Sequence, residues 1–241
     1  MDVSNFGYGA SHSVTKPARV AVFGGFPIMK KENYLCDSWQ GWVQQILNLL
    51  THGYYYYYLT QLPDHKKAKW LVIDKRLIKL YPIDFSKDKK YYQHKRKKAN
   101  YAYLRWQKHV VILHTEGAVA DYAGHKFIDF RVKPLIVPIG DERGLTLKIG
   151  KSSDGFTIYL SRVSFNEVKF NIIESIKNHN TKDVEYRFNS LNYLPGYTGI
   201  YKQRKSLLNT VKEHYKRNNI KFDRKDFKLA AYRRSVKVFV K

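Results

Sequence analysis

Apolar residues in the first quarter of the chain repeat with the period of a helix that has one buried face. Between residues 39 and 50 they recur every three or four positions, at Trp39, Trp42, Val43, Ile46, Leu47 and Leu50. Asp37 or Ser38 can cap the free backbone N–H groups at the start, and Gly53 can end the helix. This segment is therefore predicted to be a helix between these boundaries.

Two further helices are predicted in the second half of the chain. Ser164 and Glu167 have the S-x-x-E spacing of a capping box, which predicts a helix start at this position. Its inward-facing residues would be Phe165, Val168, Ile172, Ile173 and Ile176. The last helix is expected from a Thr198 cap to about Arg217. Its buried residues would be Ile200, Leu207, Leu208, Val211 and Tyr215.

Other segments have the short apolar runs and turn residues that are typical of β-strands. Strands are predicted at 18–26, 54–62, 101–113 and 126–139, with an edge strand at 236–240. A hairpin is expected at 145–163, turning around Gly150, Asp154 and Gly155. Residues 70–81 fit either a helix or a two-stranded hairpin. Residues 84–98 are expected to form a charged loop, and residues 188–197 an irregular segment.

The order of these elements favours an α+β fold with a mostly antiparallel sheet, because strands and helices are mixed without strict alternation. About three helices are expected, the last of them basic and followed by a basic tail. Residues 1–17 are polar and aperiodic, so they are predicted to form a flexible arm. Residues 18–241 are expected to form a single domain, with a subdivision near residue 99 as the alternative.

Composition excludes several classes of protein. The chain has 241 residues, of which 44% are hydrophobic, so it can bury a core. No apolar run approaches the ~18 residues of a transmembrane helix, and the N-terminus lacks the pattern of a secretory signal. Its single cysteine, Cys36, excludes an internal disulfide framework. We expect a cytoplasmic, nucleoid-associated or ribonucleoprotein-associated protein that is not secreted.

Positive charge is concentrated in two blocks of the sequence. Lys and Arg number 44 against 20 Asp and Glu, a formal net charge of +24. Residues 64–98 carry +9 and residues 202–241 carry +11, so the other 166 residues carry only +4. An AT-rich genome favours lysine but does not explain this concentration. If folding joins the blocks, they would form a groove for a phosphate backbone, and binding would weaken with salt.

The residues expected to contact a nucleic acid follow from these blocks. The phosphate-binding candidates are Lys89, Lys90, Lys95, Arg96, Lys97, Lys98, Arg105, Lys202, Arg204, Lys205, Lys212, Lys216, Arg217, Arg233 and Arg234. The candidates for stacking on bases are Tyr91, Tyr92, Tyr101, Tyr103 and Trp106. Cations interleaved with exposed rings are typical of single-strand binders. In the run of five tyrosines at 54–58, one face would be core and the other a stacking platform.

A second candidate site is a cluster of polar residues at 109–131. Its members are His109, His114, Glu116, Asp121, His125, Asp129 and Arg131. Imidazoles and carboxylates can hold a divalent metal that polarises a scissile phosphate. His114, Asp121 and Asp129 are the catalytic candidates, with Mg²⁺ or Mn²⁺ as the cofactor of such an enzyme. In the structural alternative, Asp129 and Arg131 form an ion pair on one face of a strand.

Two known motifs fail at their defining spacing. Residues 144–152 approach a P-loop, but five residues separate the glycines where four are needed, and a strand is expected to follow instead of a helix. Rolling-circle replication initiators and relaxases need His-hydrophobic-His on one strand. Four residues separate His109 from His114, so the two would face opposite sides of a strand. Tyr197 and Tyr201 do have a Y-x-x-x-Y spacing similar to that family's nucleophiles.

The sequence therefore predicts a nucleic-acid-binding protein that favours single-stranded or structured RNA or DNA, in a ribonucleoprotein, plasmid or other mobile element. A membrane is not expected as a partner, because the C-terminal block offers only part of the apolar face that a membrane helix needs. The first alternative is a metal-dependent nuclease, or another phosphodiester-processing enzyme, that uses the 109–131 cluster. The second is a structural protein of a ribosome-like particle. Cleavage activity distinguishes the first alternative from the others.

Overall fold

A computed structural model describes residues 34–119, 124–139, 144–153, 155–229 and 236–240. The helices of these residues are α1 (Trp39–Thr51), α2 (Trp70–Leu80), α3 (Lys87–Lys95), α4 (Arg162–Lys177), α5 (Thr181–Ser190) and α6 (Thr198–Arg217). The strands are β1 (Tyr56–Gln61), β2 (Tyr101–Trp106), β3 (His109–His114), β4 (Ile128–Asp129), β5 (Leu135–Pro138), β6 (Thr146–Ser152) and β7 (Gly155–Leu160). The predicted α+β class is confirmed. The predicted arm at 1–17 and strand at 18–26 lie outside the described residues.

The first sheet has four antiparallel strands in the order β2-β3-β1-β4. In its register, Leu113 of β3 lies opposite Tyr57 of β1 and Ala102 of β2. Cys36 hydrogen-bonds to β2 at the edge of this sheet, and Phe239 forms a bridge with Cys36. The C-terminal segment 236–240 therefore lies beside this edge, but it forms a single bridge at Phe239 and not the predicted edge strand.

Helices cover both faces of the first sheet. On one face, Trp42 of α1 and Val111 of β3 belong to one cluster of buried apolar residues. On the other face, Ile78 of α2 clusters with Tyr103 and Ile112. Successive side chains of a strand point to opposite faces, so a strand that is covered on both faces has every position buried. All six residues of β2 and all six of β3 are buried.

The second sheet is a three-stranded antiparallel unit, β5-β6-β7, on which α6 packs. At Gly199 the helix α6 comes so close to β7 that an added Cβ would lie 2.3 Å from the Ile158 carbonyl oxygen. The cluster that contains Trp42 continues through Leu147 and Ile176 to the helices of this half. The two sheets therefore share one continuous core among the described residues.

The helix content exceeds the prediction, with six α-helices among the residues described instead of about three. The helix alternative is confirmed for α2. The predicted charged loop at 84–98 contains α3, which begins after Ser86, whose hydroxyl accepts a hydrogen bond from the Lys89 N–H at 3.3 Å. No residue of α3 is buried, so no apolar period marks it in the sequence. The helix α5, which overlaps the predicted irregular segment, buries only Val184 and Phe188.

Several predicted boundaries also need correction. Residues 101–113 are two strands because Gln107, with φ of 49°, turns the chain between them. Residues 126–139 likewise contain two strands, β4 and β5. Ser161 caps α4 in place of Ser164, whose hydroxyl accepts a hydrogen bond from the Thr146 N–H at 2.8 Å. The N-cap position of α6 is residue 197, one before the predicted cap. No described helix is long and apolar enough to cross a membrane.

Candidate nucleic-acid interface

The helix α3 and the turn after it present a basic surface. Its exposed cations are Lys87, Lys89, Lys95, Arg96, Lys97 and Lys98. Asp88 is the only acidic residue in the helix. Within the described part of the chain, no ion pair includes any of these cations. The surface therefore has an excess of positive charge that is available to an anionic partner.

Two aromatic side chains stand among these cations. Tyr91 is 55% exposed and Tyr92 is 60% exposed. The Lys95 ammonium lies 4.8 Å from the centre of the Tyr91 ring, and the Lys89 ammonium lies 3.8 Å from the centre of the Phe85 ring. Exposed rings next to cations can stack on bases while the cations hold phosphates. Of the five predicted stacking residues, these two have accessible rings.

The other predicted contact residues near the first block lie in the core. Tyr101, Tyr103 and Trp106 are at most 6% exposed, so their rings cannot stack on a base in this conformation. Arg105 is 5% exposed, and its guanidinium pairs with both carboxylate oxygens of Asp74 at 2.8–2.9 Å. These four residues are removed from the contact candidates, because both faces of β2 are covered and every position of the strand is buried.

The second basic block is exposed along α6, with one exception. The exposed cations are Lys202, Lys205, Lys212, Lys216 and Arg217. Arg204 is 1% exposed and donates hydrogen bonds to the side chain of Asn192 and, at 2.8 Å, to the Lys228 carbonyl oxygen. It therefore joins α6 to the segment that follows and is removed from the binding candidates. Arg233 and Arg234 lie outside the described residues.

The two basic blocks are attached to different sheets. α3 and the turn between α1 and β1 line a common cavity at the first sheet, whereas α6 packs on β7 of the second sheet. That both blocks bind one ligand stays a prediction.

The cavity beside α3, of about 500 Å³, combines rings with polar groups. Tyr54 and Tyr55 line it from the α1–β1 turn, and Phe85 and Tyr91 line it from the side of α3. Its polar lining includes Asn100, the residue immediately before β2. A cavity of this size with apolar walls and a few polar groups is the usual form of a small-ligand site.

A second cavity, of about 470 Å³, has a basic lining that the sequence did not indicate. Its cations are Arg131, Lys148, Lys151 and Arg162. None of them belongs to the two basic blocks, and they come together only when β6, α4 and the turn after β4 pack. The Arg131 guanidinium also pairs with Glu116 at 2.5 Å and lies 4.9 Å from the Tyr55 ring centre. Because Glu116 and Tyr55 line the first cavity, Arg131 contacts the walls of both.

The two histidines of β3 lie on opposite faces of the first sheet, as predicted. His109 stacks against Trp106 on the α1 face, with ring centres 5.6 Å apart. His114 stacks on Tyr56 on the other face, with ring centres 4.7 Å apart. Burial lowers the pKa of His114, while a hydrogen bond at 2.7 Å between its Nδ1 and the Thr115 carbonyl oxygen opposes that shift. The two imidazoles cannot share a metal ion in this arrangement.

The remaining members of the 109–131 cluster form separate contacts. Asp129 pairs with Arg131 at 2.7 Å, which is the ion pair of the structural alternative. Hydrogen bonds from Arg131 lower the pKa of the Asp129 carboxyl. His125 stacks on Tyr58 with ring centres 4.4 Å apart, so this face of the tyrosine run is covered. Asp121 lies outside the described residues.

The catalytic alternative therefore has no assembled site in the part of the chain that the structure describes. Tyr56 lies between His114 and Asp129 in the sheet, pairing with one on each side. Among the described residues, no three His, Cys, Asp or Glu side chains lie close enough together to bind one metal ion. Of the two candidate nucleophiles, Tyr197 is 7% exposed and Tyr201 is half-buried.

Comparison of the chain with models of protein families, with curated proteins and with solved structures finds no match. Its function is therefore inferred from the chemistry of its own residues.

Proposed function

We propose that this chain binds single-stranded nucleic acid, with α3 and the turn after it as the main contact surface. The observation that carries this proposal is the surface composition of α3. The helix buries none of its residues, so core packing does not account for its sequence. The helix and the turn after it expose six lysine and arginine side chains, together with the rings of Tyr91 and Tyr92.

A single strand fits this surface better than a duplex. Both kinds of nucleic acid offer phosphates to the cations, but the bases of a duplex are already stacked on one another. Exposed rings gain a stacking partner only where bases are unpaired, as in single strands, loops and bulges. The second cavity offers Lys148, Lys151 and Arg162 as further phosphate contacts for a strand that passes Arg131.

A matched pair of charge-neutralising variants tests this proposal. One variant replaces five exposed cations of the α3 surface by glutamine, namely Lys89, Lys95, Arg96, Lys97 and Lys98. The control replaces five exposed cations of α6, namely Lys202, Lys205, Lys212, Lys216 and Arg217. Both remove the same charge, so a change in net charge alone affects them equally. Binding to a short fluorescein-labelled strand is measured by anisotropy for each.

We expect the α3 variant to bind the strand more weakly than the α6 variant. A smaller but measurable loss in the α6 variant would indicate that both blocks contact the strand, with α3 as the main surface. A loss that is equal in the two, or larger in the α6 variant, would contradict the proposal that α3 is the main surface. Circular dichroism of both variants checks that the fold is intact.

A further inference from the structure

We propose that the cavity between α3 and the α1–β1 turn holds one nucleotide, with its base between the aromatic walls and its phosphate at the lysines of α3. This inference rests on the proposed function, because it assigns part of the same surface to a specific unit of the ligand. The proposed ligand is a nucleotide, which can be either a free nucleoside monophosphate or one unit of a strand.

The dimensions and walls of the cavity suit a planar base. Its volume of about 500 Å³ lies within the range of roughly 300–1,000 Å³ that is typical of small-ligand sites. Tyr54 and Tyr55 line it from the α1–β1 turn, and Phe85 and Tyr91 line it from the side of α3. Tyr54 is only 7% exposed, so the base is expected to contact the rings of Tyr55, Phe85 and Tyr91. Every base has a π-face, so rings bind bases with little dependence on sequence.

Asn100 is a buried polar residue of the cavity wall, and its side chain ties α3 to the segment before β2. Asn100 is 8% exposed, and its Nδ2 donates a hydrogen bond to the Lys90 carbonyl oxygen at 3.0 Å. Its Oδ1 is buried and accepts no hydrogen bond from the residues that the structure describes. A buried acceptor without a donor is unfavourable. Because this oxygen has almost no solvent-accessible surface, a ligand in the cavity would contact the other polar side chains of the lining instead.

Two lysines and a histidine of the lining are placed to donate hydrogen bonds to a phosphate. Lys87, Lys90 and His94 line the cavity along α3. Lys90 is half-buried and is in no ion pair of the described chain. Burial lowers the pKa of its ammonium, although the charge of Asp84 opposes this shift. A phosphate beside Lys90 would supply the negative charge that favours its protonated form.

Two carboxylates also line the cavity, and they restrict where the phosphate can lie. Glu116 is paired with Arg131 at 2.5 Å, so its charge is partly compensated. Asp88 is exposed in the first turn of α3. Carboxylates accept hydrogen bonds from ribose hydroxyls and from the amino groups of bases, but they repel phosphate. The phosphate is therefore expected at Lys90 and His94 and away from Glu116.

Adjacent residues of α3 provide matched variants for a test. Tyr91 and Tyr92 have nearly equal exposure, 55% and 60%, but only Tyr91 lines the cavity. Lys90 also lines the cavity and Lys89 does not, although Lys90 is half-buried and Lys89 is exposed. We expect Tyr91→Ala to raise the dissociation constant of a labelled single strand about tenfold, as for the loss of one base stack. The dissociation constant of Tyr92→Ala should be at least threefold lower than that of Tyr91→Ala. Lys90→Gln is expected to weaken binding more than Lys89→Gln.

Equal losses for Tyr91→Ala and Tyr92→Ala, or no loss for either, would overturn the cavity assignment even where the wild-type chain binds the strand. If the wild-type chain does not bind the strand, it is the proposed function that fails. Adenosine and uridine 5′-monophosphate, added as competitors, distinguish the two ligand sources. Displacement that Tyr91→Ala abolishes would assign the cavity to free nucleotides as well. A lack of displacement, with the tyrosine difference retained, would assign it to a unit of the strand.

Discussion

Replacing Asp74 by alanine is expected to destabilise the protein strongly, because it leaves a buried guanidinium without its counter-ion. The Asp74 side chain is fully buried and accepts hydrogen bonds from Arg105 Nε at 2.9 Å and from Tyr103 Oη at 2.5 Å. Burial, followed by the charge of this carboxylate, raises the pKa of Tyr103, so the phenol remains a donor. The three residues form one network between α2 and β2.

The size of the effect follows from what the substitution leaves behind. Once Asp74 is removed, the described partner of the Arg105 guanidinium is the Gln107 carbonyl oxygen at 2.9 Å, and Arg105 is 5% exposed. Removing one member of a buried ion pair typically costs about 3–5 kcal/mol. Replacing both members by apolar residues of similar volume is often nearly neutral. The double variant Asp74→Leu, Arg105→Met is therefore expected to recover part of the loss, but not all of it, because the buried Tyr103 hydroxyl loses its acceptor in both variants.

Urea unfolding, followed by far-ultraviolet circular dichroism, measures the free energy of unfolding for the wild type and for both variants. A loss below about 1 kcal/mol for Asp74→Ala would match an exposed ion pair and would contradict the buried position of this network. In that case Arg105 would return to the candidates for phosphate binding. Strand binding by the double variant, measured at a temperature where it is folded, is expected to equal that of the wild type.

Three further predictions concern stability and use the same unfolding assay. Ser161→Ala is expected to cost about 1 kcal/mol because Ser161 caps α4, whereas Ser164→Ala tests the separate hydrogen bond to the strand β6. Gly199→Ala is expected to cost about 1–3 kcal/mol, since its Cβ would lie 2.3 Å from a β7 carbonyl oxygen, while Gly150→Ala, with no contact under 3.6 Å, should cost less. Burial lowers the pKa of His114 in the folded state, so stability should fall as the pH drops below about 6.5. His114→Phe should reduce that fall, and an unchanged pH profile would contradict it.

The elements that could be predicted from the sequence are those with one apolar face and clear ends. The helix α1 has a regular apolar period between Ser38 and Gly53, and α6 has one that ends at Arg217. The class of the fold follows from such elements. α3 could not be found by periodicity, because a helix with no buried face has no apolar period. The two-strand structure of 101–114 was hidden because both faces of the sheet are covered, so polar residues do not alternate with apolar ones.

The basic surface of α3 could be predicted from local charge. Which individual cations are buried and which are exposed could not. Arg105 and Arg204 look like their neighbours in the sequence, yet each is buried by partners that lie far along the chain or on another element. Asp74, for example, is 31 residues from Arg105. The cations Lys148, Lys151 and Arg162 were missed for the opposite reason, because they are sparse in the sequence and come together only in the fold.

The salt dependence of strand binding tests most directly whether the α3 surface holds phosphates. Each phosphate contact on a single strand adds about 0.7 to the steepness of log affinity against log salt, so six contacts would weaken binding roughly 300-fold between about 50 and 200 mM salt. Neutralising Lys89, Lys95, Arg96, Lys97 and Lys98 should reduce that slope by up to about 3.5 if all five hold phosphates. A slope that is already flat in the wild type, or that does not change in this variant, would contradict the account.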